Sequence, residues 1–520
     1  MNRVAVSVLL SLGLASAASG KNLIDVYEDA TRNDPQIRAA DANRLAQREA
    51  RPQAWAALLP QLNGTASWTK DKADSTESSL LFDPAIQPPL AIGIATRSTS
   101  KRYGINLQQT VFSWSQLANL QAAGSEVAEA EATYHAAEQN LMLRVSQAYF
   151  NVLTDEDTLD ANQASLEAIS RQLDQANKRF EVGLIAVTDV EEAKAARDTA
   201  AATVIAAKRA LANANDQLEE ITGQKYDSLE KPGDNMQLSN PVPASEDQWV
   251  QTSLDQNLTL IASRLSADVA RANVRVAFGG HLPTIDFVAS RTHADTIENE
   301  YFLGAALPVP GTNTDTQYGF QISIPIFSGG ATQSKVRQAQ YTWIAAKETV
   351  VQNSRATERA ARDAYLGVIS GIAQVQALRQ ALESDQTALR ATEAGYEVGT
   401  RTSVDVLNAR QKLVGGQTDY ARSRYDYLLS VIQLRLAAGT LNRKDIEEIN
   451  QPLTVRGPTT PAEPLRPTPN PSVTAPTPQD VAPAPPANQN PPQTTTLQPA
   501  APGQTPPAAQ PPATRPPTQR

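Results

Sequence analysis

The sequence RFEVG at residues 179–183 recurs as GYEVG at residues 395–399, 216 positions later. The dipeptide DV at residues 189–190 recurs at residues 405–406 with the same displacement. Similar displacements of 215 and 223 relate YG at 103–104 to YG at 318–319, FS at 112–113 to FS at 327–328, and LP at 59–60 to LP at 282–283. A nearly constant displacement over such a distance indicates an internal repeat. The sequence therefore predicts two similar halves, residues 21–225 and 226–450.

Each half also carries an apolar or aromatic residue at every seventh position. The series are Val145, Val152, Leu159, Leu166, Leu173 and Phe180, then Ala361, Val368, Val375, Leu382, Leu389 and Tyr396. A sustained heptad is typical of helices that pack side by side along a narrow seam, as in a coiled coil. Residues 117–180 contain no Pro, and ~60 residues at ~1.5 Å each make a rod of about 90 Å.

The repeated Glu-Val-Gly sequence predicts the end of each rod. Gly183 and Gly399 are hinge or turn residues that can take the left-handed conformation found after helix C-termini. Thr188 and Thr402 each precede an acid by three residues, which predicts a capping box and a new helix. The returning helices are expected over residues 188–222 and 403–439. Each half is therefore predicted to form a long helical hairpin.

Two short segments with a period of two precede each rod, near residues 62–68, 103–111, 285–290 and 318–326. They predict two strands per half, joined by long polar loops at residues 70–101 and 291–317. A half-buried sheet in a soluble domain is one interpretation. Lipid is the favoured cover because the chain is predicted to be exported and no other apolar layer is available. Four strands are too few to close a barrel, so an oligomer is expected: eight strands in a dimer or twelve in a trimer.

The two ends of the chain differ from the repeat. Residues 1–20 have a short positive start, an apolar run and small-residue cleavage sites, which predicts a signal peptide. Residues 451–520 hold 22 of the 35 prolines and are predicted to be a disordered tail.

Composition excludes several classes of protein. The absence of Cys excludes disulfide scaffolds, thiolate metal sites and an acylated cysteine. A net charge of -9 and 5% aromatic residues argue against nucleic-acid binding. His135, His281 and His293 lie far apart, and the sequence has no nucleotide-binding or catalytic motif. We expect no enzyme activity, no cofactor and no metal.

The chain resembles the TolC family of bacterial outer-membrane channel-tunnels. The resemblance covers about residues 22–450 and rests on several motifs: NL at 22–23 with VY at 26–27, LLPQL at 58–62, RFEVGL at 179–184, TDV at 188–190, ITG at 221–223, and YEVGTRT at 396–402 with DVL at 405–407. It implies a membrane β-barrel plus an α-helical barrel: a homotrimer with twelve strands in the outer membrane and a helical tunnel in the periplasm. The missing Cys fits the non-lipidated branch.

The resemblance also implies a function. The chain would be the exit duct of a tripartite export system, for type I protein secretion or multidrug efflux. It would be opened at its periplasmic tip by a periplasmic adaptor (membrane fusion) protein and an inner-membrane pump, either ABC-type or proton-driven. The sequence does not distinguish polypeptide from small-molecule cargo, because the pump is another chain. An exported coiled-coil adaptor or adhesin stalk without a pore is the alternative.

The same resemblance implies a gate at the tip of the tunnel. Asp189, with Thr188, would tie the hairpins to Tyr396 and Arg401, and Asp405 would be the constriction carboxylate. Residue type alone favours a simpler interpretation, in which Asp189 stabilises a helix N-terminus, Tyr396 ends the heptad seam and Arg401 is solvated. Asp405 can likewise be the acid of a capping box. The roles of Asp405 as cap and as constriction are compatible.

One position departs from the family pattern. Asn408 stands where a second Asp is expected after Asp-Val-Leu. A ring of three carboxylates rather than six predicts weaker binding of multivalent cations.

Overall fold

The computed structural model describes residues 20–75, 94–233, 236–302, 305–451 and 453–458. The predicted signal peptide lies outside these residues except for Gly20, and so does the part of the predicted tail from residue 459 onward. Where the chain is described, no helix is long and apolar enough to cross a membrane.

Two helical hairpins dominate the fold and confirm the heptad prediction. In the first, α4 (Trp114–Glu181) is followed by α5 (Val187–Thr222); in the second, α8 (Ala331–Glu397) is followed by α9 (Ser403–Ala437). The heptad residues Val145, Val152 and Ala361 are fully buried. Burial along the seam weakens toward the tip, where the side chain of Phe180 is 43% exposed.

Shorter helices flank the hairpins and the strands. They are α1 (Leu23–Asn33), α2 (Pro35–Arg48), α3 (Ala50–Ala56), α6 (Glu246–Gln256), α7 (Leu258–Phe278) and α10 (Arg443–Asn450). Beside the middle of α4, residues of α1, α5, α9 and α10 form the main hydrophobic core. Its largest fully buried side chains include Tyr149, Phe150 and Tyr425, and the rings of Phe150 and Tyr425 stack with centroids 5.8 Å apart.

Four long strands form one antiparallel sheet. They are β1 (Gln61–Ser75), β2 (Ile94–Phe112), β4 (Thr284–Phe302) and β5 (Ala305–Ser323), in the order β1-β2-β4-β5. The order of elements therefore repeats: short helices, two strands, a long helix and a returning helix. Because consecutive strands are antiparallel, the two edge strands β1 and β5 also run in opposite directions.

The strands are longer than predicted, and the predicted loops at residues 70–101 and 291–317 are wrong in large part. The strands extend to Ser75 and Phe302 and restart at Ile94 and Ala305. In this region apolar and polar residues no longer alternate regularly, so the pattern that identifies a strand is lost, while backbone pairing continues. The fourth strand ends at Ser323, before the predicted end at residue 326.

A second, two-stranded sheet pairs β3 (Ser228–Pro232) with β6 (Leu453–Pro458). Residues 453–458 were predicted to belong to a disordered tail, and that boundary is wrong. The segment is ordered because its backbone pairs with β3, and because Leu453 is buried in the main core.

Candidate functional site at the hairpin tips

Both rods end in the same hydrogen-bonded turn. The N–H groups of Gly183 and Leu184 donate to the carbonyls of Phe180 and Arg179, at 2.8 and 2.9 Å. The N–H groups of Gly399 and Thr400 bond in the same way to residues 396 and 395, at 3.1 and 2.8 Å. Gly183 and Gly399 have φ values of +76° and +81°, which a residue with a Cβ adopts only with strain. The structure confirms both predicted turns.

Asp405 closes a capping box at the start of α9. Its carboxylate accepts a hydrogen bond from the backbone N–H of Thr402 at 3.0 Å, and its own N–H donates to Thr402 Oγ1 at 3.2 Å. The hydrogen bond from the Thr402 backbone lowers the pKa of Asp405, with smaller contributions from the Thr402 side chain and the charge of Arg401. Asp405 is therefore an ionised helix cap at neutral pH.

The corresponding box in the first half does not form. Helix α5 begins at Val187 with Ala186 as its N-cap and no side-chain cap hydrogen bond. The prediction is wrong by two residues because Thr188 lies inside the first turn. Asp189 lies in the same turn, where a carboxylate stabilises the positive end of the helix dipole.

Within one chain, the two hairpins meet near their tips through two contacts, in which Tyr396 is the only residue that the gate prediction names. The guanidinium of Arg179 on α4 lies 5.2 Å from the ring centroid of Tyr396 on α8. Gln172 Nε2 donates to Ser403 Oγ at 3.2 Å. The motif at residues 179–183 contains Arg179, but its counterpart in the repeat is Gly395, so the repeat gives no signal for a contact at this position.

Among the described residues, the side chains of Thr188, Asp189 and Arg401 make no hydrogen bond or ion pair inside the chain. Thr188 and Arg401 are exposed, and Asp189 is half-buried. One chain therefore brings Tyr396 to Arg179 and engages Asp405 in its capping box, whereas it does not bring Thr188, Asp189 and Arg401 together.

Gly395 allows the second tip to fold tightly, and sequence reasoning missed it. A Cβ at this position would lie 2.8 Å from Arg401 Cγ and 3.2 Å from Thr400 Oγ1. The carbonyl of Gly395 also accepts hydrogen bonds from the N–H groups of Thr400 and Arg401, at 2.8 and 3.2 Å. The turn therefore holds the stem of Arg401 against the end of α8.

Two ion pairs join α8 to α9 behind the tip. Arg410 Nη2 lies 2.5 Å from Glu393 Oε1, and Lys412 Nζ lies 2.8 Å from Asp385 Oδ1. Asp385 is buried, but the side chain of Lys412 is 74% exposed, so solvent screens this pair. The second hairpin is thus held together internally, independently of contacts with the first.

An open sheet with one apolar and one polar face, joined to paired helical rods, is the architecture of an outer-membrane channel subunit with a periplasmic tunnel. The chain belongs to the outer membrane efflux protein family, which it matches over residues 26–224 and 249–440. It is an outer-membrane protein that extends into the periplasm, and the resemblance to the TolC family is confirmed.

Individual relatives agree with this assignment. The outer membrane protein TolC of Vibrio cholerae is 35% identical over 450 residues, which are 85% of this chain and 96% of that protein. The alkaline protease secretion protein AprF of Pseudomonas aeruginosa is 27% identical over 440 residues, covering 84% and 88% of the two chains. The solved structure of the Campylobacter jejuni channel CmeC has a TM-score of 0.65 at 18% identity, covering 84% of this chain and 90% of that one, and shows the fold.

The chain is therefore an outer-membrane exit duct for type I secretion or efflux. Its relatives are channel proteins rather than enzymes. The alternative of a coiled-coil stalk without a pore is wrong, because the matched region contains both the hairpins and the four-stranded sheet.

Proposed function

We propose that three copies of the chain form the duct, with a twelve-stranded barrel in the outer membrane and a tunnel of helices below it. The observation that supports this proposal is the pair of open edges on the sheet. Strands β1 and β5 run antiparallel to each other, so β5 of one chain can pair with β1 of the next and continue the antiparallel pattern. A sheet in lipid must close in this way, because unpaired backbone groups there lack water.

The duct is passive, and its periplasmic tip opens when an adaptor (membrane fusion) protein and an inner-membrane pump engage it. In the closed state, Arg401 and the Thr188–Asp189 pair join neighbouring hairpins, and Tyr396 holds the hairpins of one chain together. This role is supported by the exposed, unpaired side chains of Thr188 and Arg401 at the tip. Arginine is suited to such a tie because its planar guanidinium can bind a carboxylate through two hydrogen bonds.

Asp405 forms the constriction in the closed trimer. Its capping box fixes the carboxylate at the tip, and three copies around one axis attract cations and repel anions. The same carboxylate therefore serves as helix cap and as electrostatic filter.

Single-channel current in a planar bilayer tests the constriction, with a trivalent cation added on the tip side. Asp405→Asn removes the charge but keeps a side-chain oxygen that can accept the Thr402 N–H bond, whereas Asp405→Ala removes both. We expect both variants to lose most of the cation block. Asp174→Asn, an exposed position on α4, is the control and should retain it.

The outcomes separate the two roles. If Asp405→Asn retains full block and a normal melting temperature, the residue is a cap only. If the wild-type trimer forms no discrete channels, the proposed duct itself is wrong.

A further inference from the structure

The apolar face of the sheet ends at a clear boundary on every strand. Residues directly opposite on antiparallel strands project from the same face, and the register places one alternating set of residues on this face in all four strands. Starting from the helix end of each strand, the apolar stretch finishes with Trp68 on β1, Tyr103 on β2, Ala289 on β4 and Tyr318 on β5. Three of these four residues are aromatic, as in the aromatic girdle of a membrane barrel.

The first polar residue beyond this boundary is basic on three of the four strands. These residues are Lys70, Lys101 and Arg291, with Thr316 on β5. All three basic side chains are exposed, and among the described residues none of them forms an ion pair. Lys72 and Arg97, which pair with each other in the register, continue the same face one or two positions further on.

The acid nearest to these residues is already engaged. Asp295 faces Lys101 in the register, but its carboxylate accepts hydrogen bonds from Tyr103 at 3.0 Å and Thr312 at 3.1 Å. It also lies 3.4 Å from His293 Nε2. The Asp295 carboxylate is thus held toward Tyr103, Thr312 and His293, and it forms no ion pair with Lys101.

We propose that Lys70, Lys72, Lys101 and Arg291, here called the basic belt, bind the phosphate groups of a phosphorylated lipid in the outer leaflet. The belt lies just beyond the apolar band, on the side away from the helices, and this is where the headgroups of the outer leaflet begin. Lys and Arg in that position are attracted to anionic headgroups, and both donate charge-assisted hydrogen bonds to phosphate. The inference rests on the outer-membrane placement of the sheet.

The net charge of the chain supports a specific role for these basic residues rather than a general surface charge. The chain has a net charge of -9. A cluster of basic residues on the lipid-facing side of the sheet is therefore opposite in sign to the chain as a whole. On β2, the neighbouring Arg102 projects from the opposite, polar face of the sheet, where it pairs in register with Ser67 and Ala294. This residue supplies a matched control on the lumen side.

The test measures binding of a bisphosphorylated glycolipid to the detergent-purified trimer by native mass spectrometry, beside the same lipid after enzymatic removal of its phosphates. We expect the wild type to bind the phosphorylated form at least tenfold more tightly. Arg291→Gln should weaken this binding by about fivefold, the contribution typical of one basic residue at an anionic surface. Arg102→Gln removes the same charge from the other face and should leave binding unchanged.

The triple variant Lys70→Gln/Lys101→Gln/Arg291→Gln should lose nearly all preference for the phosphorylated lipid, while Lys101→Arg should retain it. Size-exclusion chromatography confirms that each variant is trimeric, and bilayer conductance measures the duct separately. Equal binding of the two lipids, an equal effect of Arg102→Gln and Arg291→Gln, or equally tight binding of inorganic phosphate would each overturn the proposal.

Discussion

The guanidinium of Arg179 lies 5.2 Å from the ring centroid of Tyr396, and this contact joins the two hairpins of one chain close to their tips. Arg179 precedes the turn at Gly183, and Tyr396 precedes the turn at Gly399. The contact therefore links the equivalent ends of the two rods. A change in the distance between the hairpins would stretch or break this contact, and we expect only the closed tip to retain it.

Removing this contact is expected to favour the open tip. Arg179→Ala should raise the open probability in planar bilayers by about two- to fivefold per chain, since a cation–π contact at an exposed site contributes roughly 0.5–1 kcal/mol. Tyr396→Phe keeps the ring and should preserve this contact, so any effect of that variant reports the hydroxyl alone. Lys178→Ala, at the adjacent exposed position, is the control, and an effect equal to that of Arg179→Ala would contradict the prediction.

Restoring a second carboxylate should strengthen the cation site at the tip. Asn408 lies three residues after Asp405 on α9 and is exposed, so the two side chains project from neighbouring positions on the helix. Asn408→Asp would give six carboxylates in a trimer and should lower the trivalent cation concentration needed for half-block by at least tenfold. Asn408→Ser is the uncharged control. An unchanged half-block concentration in Asn408→Asp would show that position 408 does not face the channel axis.

The same substitution is expected to have opposite effects at two glycines. Gly399 has a φ of +81°, so Gly399→Ala should destabilise the trimer by about 1 kcal/mol per chain. Gly124 lies inside α4 with no atom within 4 Å of a built Cβ, so Gly124→Ala should stabilise it by about 0.5–1 kcal/mol. Melting temperatures in one detergent check both signs. A higher melting temperature for Gly399→Ala would mean that the turn is not under the inferred constraint.

Sequence alone predicts the elements in which burial produces a regular spacing of apolar residues. The heptad positions Val145 and Ala361 and the turns at Gly183 and Gly399 follow from one-dimensional patterns, and the structure agrees with them. The strand ends beyond the apolar band cannot be predicted in this way, because apolar and polar residues do not alternate regularly there. Pro308 and Pro310 make the segment resemble a loop, but the structure places them in β5, in register with Asn299 and Ile297 of β4.

The contacts at the tip depend on geometry that sequence does not contain. A capping box requires a helix to begin at one particular residue: α9 begins one residue after Thr402, whereas α5 begins one residue before Thr188. The contact between Arg179 and Tyr396 has no counterpart in the repeat, since Gly395 stands at the position equivalent to Arg179. Such contacts arise from the difference between the halves, so a repeat-based analysis cannot predict them.

A buried carboxyl group beside the small sheet predicts how stability depends on pH. Glu156 on α4 is 1% exposed, and neither of its side-chain oxygens accepts a hydrogen bond in the described part of the chain. Lys231 on β3 lies 3.7 Å from Glu156 but 2.9 Å from Asp157. Asp157 also accepts a hydrogen bond from the Tyr425 hydroxyl at 2.7 Å, so both donors near this pair of acids bond to Asp157 and not to Glu156.

Burial raises the pKa of Glu156 to about 7, although Lys231 lowers it and Asp157 and Asp160 raise it further. Between the ordinary pKa of 4.5 and this value, the folded chain holds a proton that the unfolded chain has released. The contribution of this proton to the free energy of unfolding is therefore complete below about pH 4.5. It is lost as the pH rises through about 7, which lowers the free energy of unfolding by up to ~3 kcal/mol per chain.

We expect Glu156→Gln to remove this part of the pH dependence and to raise the melting temperature of the trimer at pH 8, because the amide is neutral at every pH. Melting curves from pH 5 to pH 8 in one detergent measure the effect. Glu167→Gln, at a position whose side chain is 70% exposed, should leave the pH profile as it is in the wild type. If Glu156→Gln lowers the melting temperature at pH 8, the ion pair with Lys231 outweighs the cost of burying the carboxylate, and Glu156 is charged in the folded chain.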